Sequence, residues 1–246
     1  MSVLAVAGRE LRGLFVTPFG WIALAVMQFV AAWLFLVQLE GFVQLQARLA
    51  ALAGAPGVTD LVVAPALAQV GVLLLLVMPL VSMRAISGER QAGTLQLLLA
   101  APLGAGEIVL GKFLGALGFG LLALGLLGLM PLALLVGTAL DLGKLLAGML
   151  GLVLLVGTLA AIGLLLSTLV TQPAAAAAGT FGLLLLLWVA DSGAPADSAL
   201  AWISLSNHLQ PFLRGIVDTA DVAYYLLLTA TCLVLSARRL EGGRRG

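Results

Sequence analysis

The sequence predicts an all-α integral membrane protein with six transmembrane helices and an amphipathic helix at its N-terminus. Three observations carry this expectation. The chain is 62% hydrophobic and 9% charged, with a mean hydropathy of +1.19, a balance no soluble domain shares. Several runs reach the roughly 20 apolar residues that a helix needs to cross a hydrocarbon core of about 30 Å. Lipid cannot satisfy backbone polar groups, so only helices and closed barrels span it. Leu, Ala and Gly follow one another here without the alternation of a barrel strand.

Residues 2–16 place Leu4, Ala7, Leu11, Leu14 and Phe15 on one helical face and Arg9 and Arg12 on the other. This pattern predicts a segment (1–17) lying in the membrane interface before the chain turns inward near Pro18. Span one is expected at Phe19–Leu39, with Trp21 at interface depth. Glu40–Asp60 is too polar for lipid and reads as an exterior connection. Span two, Leu61–Met83, carries Pro79 as a kink near its far end. Span three, Ile108–Val136, sets Gly111, Gly115, Gly118 and Gly125 on one face, where small residues let another helix approach closely. Asp141 lies in the turn to span four, Lys144–Val170. Thr171, Gln172 and Pro173 break the chain before span five, Ala174–Ala190, which is short and alanine-rich.

Residues 191–219 mix polar side chains with Trp202, Ile203, Leu205, Leu209, Phe212 and Leu213, a pattern for short helices dipping into the outer interface. Trp202, His208, Phe212 and Arg214 are its candidate functional residues. Span six, Asp221–Ser236, opens on an acidic cap with Tyr224 and Tyr225 at interface depth. With this layout Arg9, Arg12, Arg84, Arg90, Lys112 and the tail arginines 238, 239, 244 and 245 fall on one side. Arg48, Lys144 and Arg214 fall on the other, so the positive-inside rule puts both termini in the cytoplasm. The whole chain, 1–246, forms one transmembrane domain.

Familiar chemistries are largely excluded. His208 is the sole histidine and Cys232 the sole cysteine, which leaves no metal set and no internal disulfide. Gly106–Lys112 follows most of the phosphate-cradling pattern, yet Phe113 stands where a Mg²⁺-holding hydroxyl belongs, and Lys112 is more simply a snorkelling cation. No catalytic or cofactor-binding residue is identified. The span interiors hold no ionisable residue, so the gradient-coupling site of an ion-driven pump is missing. An enzyme is not expected. A non-transporting membrane scaffold and an ion-coupled secondary transporter remain the alternatives to an ATP-driven permease.

The polar connection between spans two and three gathers Arg84, Glu89, Arg90, Glu107 and Lys112, a concentration suited to touching something soluble. At helical spacing from Glu89 to Leu99, the residues Glu89, Arg90, Gly93, Thr94, Gln96 and Leu97 share one face, and Ala92, Leu95, Leu98 and Leu99 the other. Ser87 is placed to cap that helix. Within this loop, Glu89-Arg90-x-x-Gly93-Thr94-Leu95-x-x-Leu98 followed by Pro102 and Gly111-Lys112 resembles the corresponding loop of ABC-2-type transporter permeases. The stretch Ser204–Tyr225 is similar to the subgroup of gliding-motility and copper-processing ABC exporters. Gln96 departs from the family, which usually carries Glu there.

The resemblance implies an ABC-2, type V exporter-like architecture in a bacterial inner membrane. It implies that loop 84–107 is a coupling segment, with Glu89, Arg90, Gly93, Thr94, Gln96, Leu97 and Pro102 seated on an ATPase. It further implies a permease working as a homodimer with two separate cytoplasmic ABC ATPase subunits, which hold the ATP and Mg²⁺. Lipid and a periplasmic accessory protein are additional partners on this view, and nucleic acid is not.

Overall fold

The computed structural model describes residues 3–49, 56–94, 104–136, 138, 140–192 and 198–245. Within them α1 (Val3–Val16) precedes α2 (Pro18–Leu49), and a π-helical turn (Thr59–Val63) runs into α3 (Ala64–Ser82). A short α4 (Ser87–Gln91) leads to α5 (Ala105–Ala133), which ends in a 3-10 turn (Leu134–Val136). Then come α6 (Leu142–Leu169), α7 (Pro173–Val189), the small α8 (Ala199–Ile203) and α9 (Leu205–Leu213), and α10 (Thr219–Arg245). No strand occurs among the described residues. Among the described residues five helical stretches are long and apolar enough to cross a membrane: Pro18–Gln46, Thr59–Gln91, Ala105–Ala133, Leu142–Leu169 and Thr219–Gly242. Pro173–Val189 is equally apolar but only 17 residues long.

Side-chain chemistry sets the helix ends. Asp141 caps α6 by accepting the Lys144 amide at 3.1 Å. Glu107 reaches back to the Gly104 amide at 2.9 Å and starts α5 three residues before the expected Ile108. Pro173 opens α7 where its missing amide costs nothing. Asp218, rather than the expected Asp221, accepts the Ala220 amide at the start of α10. Asp221 sits in the first turn and is engaged elsewhere.

Two helices outrun their expected limits. Span one does not stop at Leu39, because α2 continues to Leu49 and Gln44 reaches the Glu40 carboxylate one turn back. Polarity removes a segment from lipid without breaking a helix, and Gln and Glu are good helix formers. Likewise α10 carries on through Arg238 and Arg239 to Arg245 instead of ending at Ser236.

The centre of the bundle is α6, where Leu152, Leu155, Val156, Leu159, Ala160 and Ala161 are wholly buried. Glycines bring its neighbours close. A Cβ on Gly151 would stand 2.7 Å from that of Phe212 in α9, and one on Gly163 would strike the Ser82 hydroxyl of α3. From α5, Gly120 leaves room for Val156. Thr158 of α6 bonds the Tyr225 carbonyl and meets the Thr229 hydroxyl of α10 at 3.0 Å. Close backbones and interhelical hydrogen bonds hold helices together where lipid removes the hydrophobic drive. The outward faces are apolar instead: Phe29 and Trp33 of α2 and Leu227 of α10 are each more than 60% exposed.

Filling one of these contacts should be costly. Gly151→Leu is expected to destabilise the protein by about 2 kcal/mol through overpacking, read as a lowered thermal unfolding midpoint in detergent. Gly125→Leu, whose Cβ meets nothing within 4 Å, is expected to leave the midpoint unchanged; equal midpoints for both variants would refute the packing argument.

Candidate functional site at the junction of α1, α4 and α5

The polar connection after α3 is shaped by atoms on other helices. The first amides of α4, those of Ile86 and Ser87, donate to Ser167 Oγ of α6 at 3.0 and 2.9 Å, and that hydroxyl donates to the Met83 carbonyl at 3.0 Å. The expected cap, Ser87, instead turns its hydroxyl back to the Met83 carbonyl. At the other end Gly93 adopts φ of 70°, the Thr94 amide bonds the Glu89 carbonyl at 3.0 Å, and the Gly93 amide bonds Arg90 at 3.2 Å. This is a left-handed glycine cap, which a side chain would strain. The helix expected from Glu89 therefore stops at the Gly93 turn, and its expected continuation through 95–99 lies outside the described residues.

Glu89 and Arg90 consequently ride on a helix of little more than one turn, while Gln91, Ala92, Gly93 and Thr94 form its exposed lip. Gln96, Leu97 and Pro102 lie outside the described residues.

Beneath the lip is a buried ion cluster. Lys112 Nζ lies 2.7 Å from Glu10 Oε1 of α1 and 2.9 Å from Glu89 Oε1 of α4, and its side chain is 1% exposed. Arg9 stands behind, 3.6 Å from Glu89 and 3.9 Å from Glu10, beyond hydrogen-bond length. Lys112 therefore does not snorkel to solvent. The ammonium finds two carboxylates within reach, which offset its desolvation where it stands.

Glycines of α5 make that geometry possible. A Cβ on Gly111 would lie 2.6 Å from Val6 Cβ, and one on Gly115 would lie 2.6 Å from Glu10 Cβ. Gly118 gives a looser contact with Leu11, and Gly125 faces open space. Three of the four glycines thus seat α1: Leu11, Leu14 and Phe15 of its expected apolar face pack on the bundle core, Val6 and Glu10 turn inwards beside them, and Leu4 alone of that face is exposed, at 74%. Gly106–Lys112 lies within α5 and offers no loop to cradle a phosphate.

The opposite end of the bundle holds the other candidate residues. His208 of α9, 7% exposed, places Nδ1 2.6 Å from Asp221 Oδ1 and Nε2 2.8 Å from the Trp202 carbonyl, and its ring stacks on Tyr224 at 3.9 Å. A carbonyl only accepts, so Nε2 carries a hydrogen. Phe212 is fully buried against Gly151, whereas Trp202 is 67% exposed and Arg214 is exposed beyond the last turn of α9. Near them Ser204 and Ser206 both donate to Asp191 at 3.0 Å, and Lys144 pairs with Asp60 at 2.7 Å. These contacts tie α9 to α10 and to the end of α7, and tie α6 to the π-helical turn before α3.

Sequence reasoning passed over Glu10 and the capping role of Ser167. Glu10 is the only acid in α1, and an unexplained acid beside a buried helix face was the available signal. A serine in an apolar helix offers none.

The arrangement defines a multi-pass α-helical membrane protein, packed around α6, with a short polar helix clamped at one end of the bundle. A family model described as "ABC-2 family transporter protein" matches residues 4–216. The chain belongs to that family. It is also 34% identical over 182 residues to a Pseudomonas aeruginosa protein described as "Probable ABC transporter permease protein NosY", a match covering 64% of each chain. It therefore spans less than two thirds of that relative's length.

Two outcomes are expected from these contacts. Lys112→Met, which leaves two carboxylates face to face, should cost about 3 kcal/mol. Neutralising Glu10 and Glu89 to Gln in the same chain should restore much of the loss; thermal unfolding that is unmoved by Lys112→Met would contradict a buried pairing. His208→Ala and Asp221→Ala should be non-additive, with a coupling of about 1–2 kcal/mol in a double-mutant cycle, and strict additivity would show that the pair does not interact.

Proposed function

We propose that this chain is the transmembrane half of an ATP-driven exporter in a bacterial inner membrane, working as a pair of copies with two separate cytoplasmic ATPase subunits. Each ATPase seats on the lip Gln91–Thr94 and on the residues that follow it. The observation that carries the reading is the anchoring of α4. Its exposed edge faces outwards, while its N-terminal amides are held by Ser167 of α6 and its Glu89 by Lys112 of α5, which Glu10 of α1 shares.

Force applied at the lip therefore reaches three helices at once. In this mechanism the closing ATPases push α4, the ion cluster carries the displacement into α1 and α5, and Ser167 carries it into α6. A pathway between the two copies then opens alternately to each side. Taken as six crossings, the five long helices and the shorter α7 would return the C-terminus of α10 to the side of α1 and α4. The tail arginines, Arg9, Arg12, Arg84 and Arg90 then share the cytoplasmic face, as the bias of positive charge favours. ATP and Mg²⁺ are held by the partner subunits, so this chain works without a catalytic residue of its own.

Glu89→Lys is a poor test of docking, because it also breaks the pairing with Lys112. Ala92 and Thr94 are exposed and carry no such burden. Ala92→Arg with Thr94→Arg is expected to lower ATPase co-purification about tenfold or more by unpaired like charge and steric block, with an unchanged unfolding midpoint. Undiminished co-purification would remove the docking surface from this lip. Co-purification together with transport that survives a partner unable to hydrolyse ATP would favour a scaffold or a gradient-driven carrier instead.

A further inference from the structure

Beside the ion cluster a cavity of about 260 Å³ opens between α1, the start of α2, the end of α3 with the turn that follows it, and α5. Its polar wall carries Arg9, Arg84 and Lys112 against a single carboxylate, Glu10. Its apolar wall includes Phe19 and Leu80. Lys112 is already satisfied by Glu10 and Glu89. The two guanidiniums, both on exposed residues, are engaged loosely or not at all. Arg9 keeps its carboxylates at 3.6 and 3.9 Å, and the Arg84 side chain makes no hydrogen bond or ion pair among the described residues.

A guanidinium presents five donors in a planar fork, and two forks facing one hollow match the oxygens of a phosphate better than any single-point anion. The setting adds a second requirement. Leu80 is 44% exposed, so the cavity is flanked by a side chain that looks out of the bundle. Trp21, 63% exposed, donates its indole N–H to the Phe15 carbonyl at 3.0 Å, which sets an interface-seeking ring at the turn between α1 and α2. The volume is too small for a whole drug-sized molecule and suits a compact headgroup whose tails lie outside it.

We propose that this cavity binds a phosphate-bearing anion, held by Arg84 and Arg9, with the headgroup of an anionic phospholipid or a soluble phosphate as the source. Occupancy would link α1 to the turn between α3 and α4 through a removable ligand, beside the permanent link through Lys112. The inference is independent of the docking reading, since it requires neither an ATPase nor a cargo.

The test uses the full chain, delipidated in detergent and followed by native mass spectrometry with equimolar dioleoyl phosphatidylglycerol and dioleoyl phosphatidylcholine. A parallel arm titrates inorganic phosphate alone. Wild type is expected to retain the anionic lipid about tenfold over the zwitterionic one, the scale of a charge-assisted fork. The double variant Arg9→Gln with Arg84→Gln should bring that ratio close to unity, and Arg84→Lys should keep only part of it. Phosphate binding that the double variant abolishes, without any lipid preference, would assign the site to a soluble anion. Equal retention of both lipids with no phosphate binding, or a preference the double variant keeps, would overturn the proposal. Should the double variant fail to fold, Thr17→Trp, which narrows the cavity and leaves every charge in place, decides: undiminished retention of the anionic lipid there would equally overturn it.

Discussion

One buried ammonium governs the architecture at this end of the molecule. Lys112 cannot be placed in an apolar bundle unless carboxylates reach it, and the two that do come from different helices. Glu10 arrives because Gly111 and Gly115 let α1 lie directly on α5. Glu89 arrives because Ser167 and Gly93 confine α4 to a short, oriented helix. Close packing, helix capping and charge pairing are thus mutually dependent. Each would be strained or unsatisfied without the others, and together they weld α1 and α4 to the main bundle.

Composition made the membrane class plain, since hydropathy of this size allows little else, and the long spans follow from run length alone. The glycine ladder at 111, 115 and 118 was also readable as a close contact, because spacing along one helix is a local property. Its partner was not readable. Which helix occupies the groove depends on tertiary packing, and α1 is that helix, with a carboxylate pointing inwards beside its apolar face. The same limit explains Ser87 and Ser167. A serine at a helix start is the usual cap, and local sequence cannot show that a hydroxyl eighty residues onwards in α6 does that work. The interruption at Gly93 was within reach, because a glycine after one polar turn is a common helix stop. Amphipathic spacing across the gap concealed it.

The outer pair behaves similarly. His208 and Asp221 stand apart in sequence on opposite sides of a glycine turn, Gly215, whose φ of 85° reverses the chain. Only that reversal brings α9 against the first turn of α10. Reading Asp221 as a helix cap was reasonable chemistry for its position, but Asp218 is better placed for it, and Asp221 is thereby free to meet the imidazole.

The distribution of polar links along the bundle bears on how it can move. At one end Lys112 and Ser167 bind α1, α4, α5 and α6; at the other, Asp60–Lys144 and His208–Asp221 bind the π-helical turn before α3 to α6 and α9 to α10. Between them the α5–α6 contact is glycine against aliphatic side chain, Gly120 on Val156 and Gly128 on Met149. Directional bonds resist displacement steeply, because small shifts misalign them. Dispersion contacts between smooth apolar surfaces change little as one slides over the other. A bundle stiff at both ends, with Thr158 tying α6 to α10 between them and only the α5–α6 contact non-directional, favours sliding of α5 along α6 over local bending. It would carry a push at α4 along its length instead of absorbing it where it is applied.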